Sequence, residues 1–173
     1  ITSMEKAIRI AEDLASYWDI LEIGTALLLQ EGLGSVQVFR KIFPDAVILI
    51  DTKITDSGRL LAESACNAGA DIFTVTSFSA EKTIADCVET AQINGKQVLL
   101  DHLSADWVDA DLIRKCEIGV DLLGLHIPKD VQDGAKINRD AIQAIKDQTG
   151  ASICIAGGIN VHAVNDLRDY PID

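Results

Sequence analysis

Two apolar patterns alternate along the chain. Short aliphatic runs that read as buried strands begin near residues 19, 47, 71, 97, 121 and 151. Between them, apolar residues recur at the three-to-four spacing of an amphipathic helix. Residues 3–16 set that spacing, with apolar side chains at 4, 7, 8, 11, 14 and 15 and with Thr2 or Ser3 placed to cap the start. Further helices are predicted over about 33–43, 57–68, 81–94, 107–117 and 139–148, with a short one after Asn160. Most stop at a glycine, and Pro44 ends the one over 33–43.

Strand starts spaced 24 to 30 residues apart, each preceded by a helix, are the rhythm of repeated βα units around a parallel sheet. The pattern begins and ends on a helix, giving seven helices to six strands. An open doubly wound sheet would not need further strands. An eight-stranded (β/α)8 TIM barrel lacking its first and last strands leaves this arithmetic, and it is the favoured architecture. The expectation is one domain over residues 1–173, incomplete at both ends, and Ile1 in place of Met points the same way.

Composition narrows the picture. A hydrophobic fraction of 48% in 173 residues suffices for a full core. A net charge of -12, with no Lys/Arg-rich run, argues against nucleic acid as a partner. The four cysteines, at 66, 87, 116 and 154, form no Cys-x-x-Cys pair and read as reduced core residues. Without a signal peptide or an apolar run long enough to span a bilayer, the expected location is the cytoplasm and no membrane partner is expected.

The chemistry centres on one strand. The run Val47–Ile50 ends abruptly in Asp51-Thr52-Lys53-Ile54-Thr55-Asp56. Alternate residues of a strand share a face, so Asp51 and Lys53 should project together, with Asp56 just beyond. Such a trio can keep the lysine charged, bind a divalent cation, or stabilise negative charge on a substrate oxygen. It also fits a strand that turns polar where it meets water.

In a βα barrel every strand delivers its C-terminal end to one mouth. On that reading Glu22, Asp51, Lys53, Thr76, Asp101, His126 and the Gly157-Gly158 turn form a single ring. Glu22 and Asp51 are hard oxygen ligands suited to Mg²⁺. Lys53 and His126 are candidates for proton transfer. Gly157 and Gly158 lead bare amides toward a helix and resemble a phosphate-accepting turn.

These residues resemble a known family. Glu22-Ile23-Gly24-Thr25, Asp51 through Gly58, Ala68-Gly69-Ala70-Asp71 with Thr74-Val75, His126 with Asp130 and Gln132, and Ala156-Gly157-Gly158 look like the orotidine 5′-monophosphate decarboxylase superfamily. Within it they are most similar to the 3-hexulose-6-phosphate synthase / 3-keto-L-gulonate-6-phosphate decarboxylase group.

The resemblance implies a homodimeric lyase of carbohydrate metabolism in which Asp56 reaches the partner's site. It also implies Mg²⁺ on Glu22 and Asp51, enediolate chemistry at Lys53 and His126, and phosphate on Gly157 and Gly158. The implied reaction is the aldolase condensation of formaldehyde with ribulose 5-phosphate. The decarboxylase reaction and a non-catalytic sugar-phosphate-binding barrel are the alternatives. Lys129 stands where the decarboxylase usually has Arg, and Ser104-Ala105-Asp106-Trp107 also has the decarboxylase's character. Ser57-Gly58 departs from the Ile-Pro-Asn-Thr that usually follows in the nucleotide decarboxylases.

Overall fold

Aliphatic residues on both faces of a strand demand cover on both sides, and the chain provides it with helices outside and a second apolar layer inside. The computed structural model describes residues 1–104, 110–131, 139–170 and 172. Six strands, β1 (Ile20–Ile23), β2 (Val47–Ile54), β3 (Ile72–Thr76), β4 (Gln97–Leu103), β5 (Leu122–His126) and β6 (Ser152–Ala156), form one sheet in sequence order. Every neighbouring pair is parallel. The strands curl into part of a barrel, and their starts fall within one residue of those expected.

The helices are α1 (Met4–Asp13), α2 (Thr25–Glu31), α3 (Gly34–Ile42), α4 (Gly58–Ala68), α5 (Glu81–Ile93), α6 (Ala110–Cys116), α7 (Arg139–Thr149) and α8 (Val161–Leu167). The sequence reading of seven helices is corrected to eight among the described residues, the addition being α2. Its apolar run Ala26–Leu29 follows β1 with only Gly24 and Thr25 between. It ends at Gly32, whose amide donates to Leu28 O and whose φ of 66° then turns the chain out of the helix. Residues 105–109 and Gln132, parts of the expected helix over 107–117 and of the family motifs, lie outside the described residues.

Alternation sorts the sheet. Ile48, Ile50, Phe73, Leu100, Leu123 and Leu125 face the helices and are completely buried, each stabilising the fold by roughly 1.5–3 kcal/mol. Leu49, Ile72 and Leu99, with Leu122 and Cys154 against them, make a smaller apolar layer on the other face. That layer is the floor of the barrel interior.

Polar residues then divide by end. At the strand starts, Asp71 Oδ2 accepts the Ile48 amide at 2.9 Å and Asp121 Oδ2 accepts the Val98 amide at 2.8 Å. Asp71 also pairs with Arg40 and, at 2.8 Å, with Lys96. The carboxylate of the Ala68-Gly69-Ala70-Asp71 motif therefore braces the end remote from the strand termini. Cys66, Cys87, Cys116 and Cys154 are thiols rather than halves of a disulfide, and burial pushes the Cys87 thiol up to about 12.

Helices α4 and α5 meet at Gly58, where a Cβ would lie 2.3 Å from Thr83 O and 3.2 Å from Asp86 Cβ. A backbone carbonyl cannot swing aside as a side chain can. Gly58→Ala is expected to lower stability by about 1–3 kcal/mol, read as a reduced urea midpoint, and an unchanged midpoint would show that the helices separate freely.

Candidate active site

The strand-end residues meet where the parallel sheet requires. Asp51 and Lys53 lie on the inner face of β2, as alternation predicts, with Lys53 Nζ 3.0 Å from Asp51 Oδ1. The same ammonium donates to Asp101 Oδ2 on β4 at 2.7 Å. The other Asp101 oxygen, Oδ1, is 3.1 Å from His126 Nδ1 at the end of β5. One carboxylate thus ties a cation to an imidazole across four strands.

The electrostatics follow from this geometry. Burial favours a neutral Asp101, but the hydrogen bond from His126 and the Lys53 ammonium outweigh it and hold the carboxyl below its ordinary value. With Asp101 ionised it accepts, so Nδ1 carries the imidazole proton and a neutral His126 keeps Nε2 as a free base. Burial likewise works against a charged Lys53, but the Asp101 bond and the charges of Asp101 and Asp51 raise it above its ordinary value. Lys53 is therefore a fixed cation and a proton donor of last resort.

Glu22 on β1 keeps an exposed side yet loses enough water at the mouth that its carboxyl titrates above the ordinary value. The Asp51 charge adds to the rise, while Lys53 and His126 oppose it. Glu22 therefore shares a field with the whole cluster.

Asp51 is also held by two hydroxyls that the sequence reading gave no role. Thr25 Oγ1, at the start of α2, donates to Asp51 Oδ2 at 2.7 Å, and Thr74 Oγ1 donates to Asp51 Oδ1 at 3.1 Å. Oδ1 is thus filled by Thr74 and Lys53, whereas Oδ2 retains one of its two acceptor positions. Glu22 and Asp51 are the residues that could hold a cation. Among the described residues no three of His, Cys, Asp and Glu form a metal cage. Two carboxylates with the remaining ligands from water and substrate suit Mg²⁺.

The other expected residues sit around this core. Gly157 and Gly158, directly after β6, both have left-handed backbones, with φ of 83° and 69°, and the amide of Ile127, next to His126, bonds Ala156 O at 3.0 Å. The glycine turn is therefore beside the histidine strand. Thr76 is buried, with its hydroxyl 2.9 Å from Ser79 Oγ, so its side chain is engaged within the β3–α5 turn. Asp56 is exposed and makes no ion pair among the described residues; Lys129 is exposed in a 3₁₀ turn, Lys129–Val131, just past His126. Neither joins the bonded cluster.

A family model described as the orotidine 5′-phosphate decarboxylase / HUMPS family matches residues 1–149. The 3-hexulose-6-phosphate synthase of Bacillus subtilis is 30% identical over 168 residues, covering 96% of this chain and 80% of that protein. The enzyme of the same name from Mycobacterium gastri is 30% identical over 164 residues, covering 95% and 79%. A solved structure of 3-hexulose-6-phosphate synthase superposes with a TM-score of 0.90 at 28% identity, covering 100% of this chain and 84% of that one. For the 3-keto-L-gulonate-6-phosphate decarboxylase of Vibrio cholerae the TM-score is 0.87 at 26% identity, covering 100% and 82%.

Proposed function

The chain belongs to the orotidine 5′-phosphate decarboxylase / HUMPS family, and from that membership we propose that it is an aldolase joining formaldehyde to ribulose 5-phosphate, a condensation whose product would be the 3-hexulose 6-phosphate for which its relatives are named. The observation that carries the reading is the Lys53 ammonium fixed 2.7 and 3.0 Å from two carboxylates beside a histidine whose tautomer is set. A permanent cation next to a free imidazole nitrogen is what an enediolate needs.

In this reading Gly157 and Gly158 offer amides to the phosphate, and Lys129 stands near it. His126 Nε2 takes the C1 proton of ribulose 5-phosphate. The electron pair left behind spreads over C1, C2 and the C2 oxygen, and the Lys53 ammonium stabilises that oxygen. C1 then bonds the formaldehyde carbon, and a proton passes to the new hydroxymethyl oxygen. Mg²⁺, held by Glu22 and Asp51, would supply further neutralisation of the enediolate oxygens.

The six strands are read as consecutive units of a (β/α)8 barrel in a single domain. A homodimer is also part of the reading. Leu29 is 84% exposed, Leu60 64% and Leu61 42%. Leu29 and Leu61 line a groove of about 230 Å³ that reaches Asp51. A second copy covering that apolar surface would be offered the exposed Asp56 carboxylate.

The test is exchange of the C1 proton of ribulose 5-phosphate in D₂O, followed by NMR, because it reports the enediolate before any electrophile is chosen. Exchange that is abolished by EDTA, together with formaldehyde-dependent consumption of the sugar phosphate, is expected. No exchange in the presence of Mg²⁺ would end the proposal. The cation Lys129 beside the histidine strand favours the keto-gulonate phosphate decarboxylase as second reading, and CO₂ release from that substrate without aldol condensation decides for it.

A further inference from the structure

The β2–β3 ladder contains an irregularity that the cluster depends on. Ile50 pairs with Phe73 and Ile54 with Val75, so residues 51–53 of β2 face the single residue Thr74 of β3. A bulge of this kind leaves backbone and side-chain groups without ladder partners and re-aims the side chains it carries. Here Lys53 adopts a left-handed backbone, with φ of 47°, a conformation that costs a non-glycine residue on its own.

All three unladdered residues bond to Thr74. Thr52 Oγ1 donates to Thr74 O at 2.7 Å, the Lys53 amide donates to Thr74 Oγ1 at 2.8 Å, and Thr74 Oγ1 donates to Asp51 Oδ1 at 3.1 Å. A hydroxyl has one proton. Because Thr74 Oγ1 accepts from Lys53 and donates to Asp51, its orientation is determined, and so are the left-handed Lys53 backbone and the rotation of the Asp51 carboxylate.

We infer that Thr74 is a positioning residue for the reaction: its buried hydroxyl pins the β2 bulge and so aims both Asp51 and Lys53 into the barrel mouth. It is 3% exposed, so it acts through those residues rather than on substrate. The inference rests on the proposed enediolate chemistry for its kinetic test and on hydrogen bonding alone for its structural one.

Thr74→Val keeps the shape and removes both hydroxyl bonds, whereas Thr74→Ser keeps the bonds and removes a methyl. With ribulose 5-phosphate and Mg²⁺ in D₂O, Thr74→Val is expected to slow C1 proton exchange about 10- to 100-fold through the rate constant rather than KM, and Thr74→Ser to stay within about threefold. Amide hydrogen exchange at Lys53, followed by NMR, should be protected in the wild type and in Thr74→Ser and lost in Thr74→Val. Should Thr74→Val not fold, Thr74→Cys, whose thiol bonds weakly, takes its place.

Wild-type exchange rates in Thr74→Val, or a Thr74→Ser as slow as Thr74→Val, would overturn the inference. Absence of C1 exchange in the wild type overturns the proposed function instead. The inference is then decided by the Lys53 amide, and equal protection in wild type and Thr74→Val refutes it.

Discussion

Lys53→Ala is expected to slow C1 proton exchange by about 10²- to 10³-fold, the usual consequence of removing a preorganised donor from a developing oxyanion. The ammonium is held by Asp51 at 3.0 Å and Asp101 at 2.7 Å, so it is in place before substrate arrives and costs no reorganisation when charge develops. The loss should appear in the rate constant at saturating ribulose 5-phosphate, with a smaller change in KM, since the amides proposed for the phosphate are those of Gly157 and Gly158. Lys53→Arg should not restore the rate, because a planar fork replaces a compact charge and is reached from a backbone already in the left-handed region. Exchange within about threefold of wild type in the alanine variant would remove Lys53 from the reaction and leave it a bracing ion pair.

That Asp51 and Lys53 lie together on the mouth side of β2 was legible because residues two apart in a strand share a face. The bulge between them and β3 was not, because it is a relation between registers, and no property of residues 51–53 names Thr74 as their common partner. Asp101 shows the same limit. Its position on the mouth followed from the parallel topology, but its link to both Lys53 and His126 depends on the curl of the sheet between β2 and β5.

Thr76 illustrates the converse. Polarity at a strand end placed it on the ring, yet the turn that follows supplies Ser79 as a hydroxyl partner and absorbs it. Helix α2 escaped for another reason. The helix follows the strand β1 with only Gly24 between, so the period changes within one residue of the boundary and a short window reads both patterns at once. What it adds is functional, because the first residue of α2 is Thr25, whose hydroxyl fixes Asp51 Oδ2.

Asp101→Asn is expected to be more damaging than its small change in shape suggests. An ionised Asp101 can only accept, which keeps the His126 proton on Nδ1. An asparagine amide can donate to Nδ1 instead, moving the proton to Nε2 and removing the base, and the analogous change in a carboxylate-held catalytic histidine costs as much as about 10⁴-fold. Lys53 simultaneously loses a charged partner at 2.7 Å. Activity lost in Asp101→Asn should therefore recover in part at high pH, where hydroxide can take the C1 proton in place of the blocked Nε2, and ¹⁵N shifts of His126 should report the tautomer directly.

Stability supplies an independent reading of the same residue. Asp101 titrates lower folded than unfolded, where an aspartate titrates near about 3.9. Its ionised form therefore stabilises the fold above that pH, and the contribution is lost as pH falls through the lower folded value. Urea midpoints of wild type and Asp101→Asn should differ most at neutral pH and converge in acid. A gap that is independent of pH would mean that the Asp101 charge contributes nothing to the fold, and a His126 tautomer unchanged by the substitution would mean that the carboxylate does not set it.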